Sequence, residues 1–268
     1  MIHLRNAHFK FTDAVENQAM KKYLFDNHEN CELDFALPAL AVSAVEVIQS
    51  ESVAPGLYLF KIFKPIWDEE YRAYGTIVTV SDSNNEPIAA SMGPGACEYQ
   101  SISYGIRHLR RKISVTFSES DSLAFVGSNK RMTPHELIAE LFWETTKPGF
   151  IMAPKGTKLK HKIAELKCRA VEQKQQREKP LKICIYGPVL RNITGWSCPL
   201  RINRELRIEV TGSDSLRAFI GGHVFLRQWF SEDFDDNWLF EHDSECFSFS
   251  QQKEILMQPL GWWEMKGS

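Results

Sequence analysis

A chain of 268 residues, 43% hydrophobic and 25% charged, carries enough apolar surface for one large core or two smaller ones, and is neither low-complexity nor fibrous. Its most apolar run, 35–48, is broken by Pro38 and Glu46 and is too short to span a bilayer; its six cysteines include no CxxC pair, which argues against a zinc ribbon. The net charge of −2 hides a segregation in which residues 106–230 sum to +12 between two ends of −7 each, a pattern that bears on partners rather than on fold.

The first residues, MIHLRNAHFKF, lack the apolar stretch of a secretory leader, so the expected compartment is the cytoplasm, with reduced thiols mostly buried as small apolar groups. Asp13 and Glu16 have capping-box spacing, and Val15, Ala19, Tyr23 and Leu24 predict a helix to about Asp26. Residues 40–49 suit a helix or a buried strand equally. From Pro55-Gly56 onward the pattern turns to β: 57–63, 74–81 and 88–92 predict a meander with a turn over 82–87. Residues 96–105 are open between a short helix and a strand.

Residues 109–123, LRRKISVTFSESDSL, then recur at an offset of 93 as 202–216, INRELRIEVTGSDSL. Ser-Asp-Ser-Leu is identical, Arg111 meets Arg204, and the apolar positions 109, 113, 115, 117 and 123 meet 202, 206, 208, 210 and 216. Alternation of this kind predicts a duplicated strand-turn-strand unit with Ser-Asp-Ser at the turn. Between the copies, Thr133, Pro134 and Glu136 open a helix that buries Leu137, Ile138, Leu141 and Phe142. A basic amphipathic helix is expected over about 155–178, where Leu159, Ile163, Leu166 and Ala170 are spaced by 4, 3 and 4. Residues 181–186 return to β structure, and 229–249 form an acidic, aromatic stretch. The expected fold is therefore α+β. A β-rich module with a leading helix (1–132) is joined by a helical connector (133–180) to a second β-rich module (181–268).

Three constellations bear chemistry. The first is basic: Lys155, Lys158, Lys160, Lys162, Lys167 and Arg169 on the expected helix, Arg107, Arg110, Arg111 and Lys112 on one repeated strand, and Arg201, Arg204 and Arg207 on the other. Cations at this density displace counterions from DNA or RNA of any sequence. A solvated helix, or acidic ends folded back on the middle, accounts for the same residues. The second is Asp233, Phe234, Asp235, Asp236 and Trp238, suited to the basic groove of a protein partner or to a solvated, aromatic-anchored loop. The third is Cys97 with His223, followed by Asp235 to Asn237, in the chain order of papain-like hydrolases but without their local signature.

No P-loop, dinucleotide fingerprint, HExxH or EF-hand loop occurs. The pattern favours a non-enzymatic, nucleic-acid-associated binding protein, a subunit or accessory factor of a nucleoprotein assembly. A protein-only interaction module acting through acidic surfaces is the alternative, and a cysteine hydrolase the third. No cofactor, metal or membrane partner is expected.

Overall fold

The computed structural model describes residues 39–248 apart from 70, 71, 96, 154–158, 160, 193, 194, 243 and 244, so the helix expected before residue 27 lies outside the described residues. Two antiparallel sheets and three helices make up an α+β fold. The first sheet is built from β1 (Ala41–Gln49), β2 (Gly56–Ile62), β3 (Ile66–Asp68), β4 (Ala73–Ser81), β5 (Pro87–Gly95) and β6 (Ser122–Phe125), with α1 (Glu98–Thr116) between the last two. Its order is β5-β4-β2-β1-β6, and β3, reached past Pro65, runs along the same side of β4 as β2. After α2 (Pro134–Leu141) come β7 (Phe150–Met152), β8 (Lys162–Glu172), β9 (Arg177–Tyr186), β10 (Val189–Asn192), β11 (Gly195–Ile202), β12 (Leu206–Gly212), α3 (Ser215–Asp233), β13 (Trp238–His242) and β14 (Glu245–Ser248). They form the second sheet, ordered β14-β13-β8-β9-β11-β12-β7 with β10 also on β11.

Both sheets trace one path. Four strands meander, the second is jogged at a proline (Pro65, Pro188), a 19-residue helix crosses the sheet, and a last strand returns beside the first. The registers coincide. The row Val42–Lys61–Thr79–Ala90 across β1, β2, β4 and β5 has its counterpart in Glu165–Cys184–Arg201–Arg207 across β8, β9, β11 and β12. The helices equate at an offset of 117, Glu98 falling on Ser215, and each C-cap, Phe117 or Phe234, returns its N–H to the carbonyl four residues back. A Cβ on Gly95 would lie 2.3 Å from Ser101 N, and one on Gly212 2.3 Å from Ala218 N, so at both places only glycine lets the strand run so close to the helix that follows.

The expected strand-turn-strand repeat is thus corrected. Residues 109–116 close α1, whereas 202–212 are the β11–β12 hairpin. Helical spacing decides the first: Ile102, Ile106, Leu109 and Ile113, separated by 4, 3 and 4, are buried, while Val115 is 68% exposed. Ser120 and Asp121 lie in the turn that leads into β6, which Ser122 and Leu123 open, and Ser213-Asp214-Ser215 is the start of α3, with Asp214 as its N-cap. The helical connector is corrected as well. Its start is right, for Thr133 and Glu136 form the full capping box of α2. Its basic helix, however, is the β8–β9 hairpin. A bulge between Lys162 and Ala164 buries both Ile163 and Ala164, which imitates helical spacing, and β8 is bonded to β13 on one side and β9 on the other. Ladders on both edges override the helix preference of Ala, Glu, Leu and Lys.

A single core draws from both modules. The start of α3 is clamped to β1: Ser215 Oγ accepts from Val42 N–H (2.8 Å) and donates to Val42 O (3.0 Å), and Ser43 Oγ donates to Asp214 Oδ2 (3.0 Å). Reciprocally, α1 touches β8. Arg217 adds a third link, its guanidinium lying over Phe125 and Trp143 and pairing with Glu140 of α2 at 3.2 Å. Replacing Ser215 with Ala leaves two main-chain groups of Val42 without this partner and should cost about 1–3 kcal/mol. For a domain of this size that is a fall in Tm of roughly 2–10 °C, read by thermal unfolding. An unchanged melting curve would show that the clamp does not hold the modules together.

Candidate anion-binding face

α3 packs on one face of the second sheet, where Gly221 meets Val210 and Phe230 stacks on Phe240. Alternation sends Glu165, Lys167 and Arg169 of β8, Lys182 and Cys184 of β9, Arg201 of β11 and Arg207 of β12 to the other face. Its centre is Glu165. Lys162 Nζ lies 2.7 Å from Oε2, Lys167 Nζ 2.7 Å from Oε1 and Lys182 Nζ 3.0 Å from Oε2. Next in the row, the Cys184 thiol is 3.5 Å from the same carboxylate, and Arg201 Nη2 is 3.6 Å from that sulfur. Three ammonium groups thus contact one carboxylate, and Arg201 approaches it through the Cys184 thiol. Hydrogen bonds from Lys162, Lys167 and Lys182 hold the Glu165 carboxyl far below its ordinary range against the opposing effect of burial, and the bond to Glu165 raises Lys162. Glu165 is only 14% exposed, but Lys162, Lys167 and Lys182 keep 47%, 68% and 38% of their side-chain surface open, so the ammonium groups face solvent. Arg201 Nε is buried without a hydrogen-bond partner.

Of the basic residues singled out by sequence, Lys162, Lys167, Arg201 and Arg207 share this face with Lys182. Arg169 joins them but is claimed by Glu178 (3.0 Å) and Glu241. Arg204 is exposed in the β11–β12 turn, and Lys155, Lys158 and Lys160 lie outside the described residues. Arg107, Arg110, Arg111 and Lys112 belong to α1 rather than to a matching strand, and Arg110 pairs with Glu144 at 2.8 Å. Glu165 and Cys184 went unremarked as members of the site. The signal available was the odd-numbered polar series Glu165, Lys167, Arg169, which becomes visible once the segment is read with a period of two.

The acidic aromatic stretch is divided. Phe234 and Trp238 are buried and pack edge-on at 5.2 Å within a cluster that includes Phe230 and Phe240, so their rings serve the core. Asp233 ends α3, and Asp235 accepts from Asn237 N–H to turn the chain into β13, which leaves Asp233, Asp235 and Asp236 at the rim.

Cys97 is the N-cap of α1 and His223 sits in the middle of α3, not on a strand. His223 packs against the rings of Tyr99 (5.4 Å) and Phe219 (5.1 Å), and neither ring nitrogen has a hydrogen-bond partner, so thiol and imidazole form no catalytic pair here. Burial pushes the Cys97 thiol up and the His223 imidazole down to about 3. Among the described residues no group of three or more His, Cys, Asp or Glu is placed to hold a metal ion, and no helix is long and apolar enough to cross a membrane. Comparison of the chain with protein-family models, with curated proteins and with solved structures gave no match.

Two outcomes follow from the buried polar groups. The unfolded chain binds a proton at His223 below about pH 6.5 while the folded chain stays neutral to about 3, so stability falls as pH drops through that window. His223→Leu should flatten this dependence by up to about 1.4 kcal/mol per pH unit and raise stability at pH 5, measured by denaturant titration. An unaltered pH profile would mean that His223 is solvated or paired. Separately, Cys97 should react with a thiol probe at neutral pH no faster than a free thiol, because burial holds it protonated. Faster trapping would revive the hydrolase.

Proposed function

We propose that this protein is a non-enzymatic polyanion-binding protein, most naturally a nucleic-acid-associated one, and that its contact face is the outer face of the second sheet. The observation that carries the reading is the gathering of Lys162, Lys167 and Lys182 about Glu165, with Arg201 beside Cys184, on the face opposite α3. Residues 161–212, which supply the face, have eleven Lys and Arg against five Glu. An array of ammonium groups on a flat sheet suits phosphates, since each contact releases a condensed counterion and none requires a base edge. Glu165 would gather the lysines before the ligand arrives, and the buried Arg201 Nε is a donor without an acceptor.

A protein-only interaction role is favoured by one contrast. The corresponding face of the first sheet presents Val42, Ala44, Leu59, Ile77, Ala90 and Met92 around Lys61 and Thr79, a more apolar set than the charged face of the second. The two roles are compatible on one chain, one per module.

Fluorescence anisotropy with short single- and double-stranded DNA and RNA, titrated over salt, separates them. The expected result is affinity that falls steeply with salt and a log–log slope reduced by about 0.7–0.9 per lost contact when Lys162, Lys167 and Lys182 become Gln. Absence of binding to every probe at low ionic strength would end the polyanion reading and leave the protein-interaction role.

A further inference from the structure

We propose that the open edge of β7 is a docking site for an extended, acidic-ended peptide, added as a further strand of the second sheet. β7 ends the strand order, and among the described residues no strand lies beyond it. The bonds Ala153 N–H to Arg207 O and Thr211 N–H to Gly149 O fix the register, so residues 149, 151 and 153 face β12. Phe150 and Met152, between them, turn both N–H and C=O outward. Four main-chain groups therefore line the edge, ready for a ladder.

The side chains agree. Phe150, Ile151 and Met152 are 53%, 54% and 59% exposed, three consecutive large apolar residues with no lysine, proline or bulge among them. Phe150 and Met152 pair with the buried Val210 and Ile208, and Phe150 stacks on Phe225 of α3 at 4.9 Å. The helix-side core thus runs out to the edge, where no described strand covers it. An added strand would continue it with alternate apolar side chains, the strand-addition mode of peptide recognition.

Charge selects the occupant. Residues 147–162 carry Lys147, Lys155, Lys158, Lys160 and Lys162 and no carboxylate. A second copy pairing β7 with β7 would bury, in a ladder this short, far less than the ~1,200 Å² of a standard stable interface. A peptide running antiparallel to β7 places its C-terminal end beside the exposed Lys147, so a carboxylate belongs at that end.

The test uses the full chain and a synthetic ten-residue probe of alternating valine and threonine closed by two C-terminal glutamates. Binding is followed by fluorescence polarisation and by amide hydrogen exchange. The probe should bind saturably and slow exchange at Phe150 and Met152, leaving Ile151 and Ala153, already bonded to β12, unchanged. Met152→Pro deletes an outward N–H without touching the β12 ladder and should weaken binding roughly tenfold. Met152→Lys, which keeps that N–H and guards the edge with charge, should weaken it too. Failure of the probe to bind, or binding without protection at those two amides, would overturn the proposal. So would protection that appears without probe and grows with protein concentration, for the edge would then belong to a second copy.

Discussion

At the start of α3 a single hydroxyl satisfies both main-chain groups of a residue in the other module. β6 covers β1 only from Val45 to Gln49, so Val42, nearer the strand's beginning, has no described strand on that side. Ser215 takes the place of one, accepting its N–H and donating to its carbonyl, while Asp214 caps the helix and receives Ser43. Burial raises the Asp214 carboxyl, and bonds from Arg217 N–H and Ser43 oppose that rise. Buried main-chain groups must be paired, so helix and strand are fixed in one relation. Once they are, the apolar faces beneath α1 and α3 close over a common core, and the outer faces of the two sheets are left to carry other chemistry.

What could be read from residues alone followed the strength of local signals. The meander of β2, β4 and β5 and the capping box of α2 were legible because alternation and cap chemistry act within a few residues. Where two periods fit the same apolar residues, the wrong one won twice. In 109–117 Val115 was counted inward, and in 162–172 a bulge and two small inward residues, Ala164 and Ala170, weakened the alternation. α3 was missed because Gly221-Gly222 reads as a breaker, although Gly222 is what lets the helix approach Cys198. The true repeat escaped for a related reason. Its two copies agree in path and register but seldom in residue, while the Ser-Asp-Ser-Leu match was a coincidence of turn-forming residues. The basic residues were found, but their convergence was not, since Lys167 and Arg201 meet only through the cross-strand row.

The charged face also shows how opposed effects are balanced. Three ammonium groups within 3 Å of one carboxylate would repel each other strongly without it, and the carboxylate, being the least exposed of the group, would be costly to ionise without them. Burial makes Glu165 dependent on the lysines, whose side chains stay open to solvent. Glu209 is the contrasting case. Nearly fully buried, it is held by Arg191 and Ser197 and is closed to exchange.

Two modules of one design joined in a single chain have a freedom that two identical subunits lack. In a symmetric pair every substitution is made twice, so a lysine that helps one face must be tolerated on the other. Here the row that reads Glu165, Cys184, Arg201, Arg207 in one half reads Val42, Lys61, Thr79, Ala90 in its twin, while the paired glycines, prolines and C-cap phenylalanines stay alike. A single chain of this plan keeps the form of a dimer while each sheet carries its own set of outward side chains.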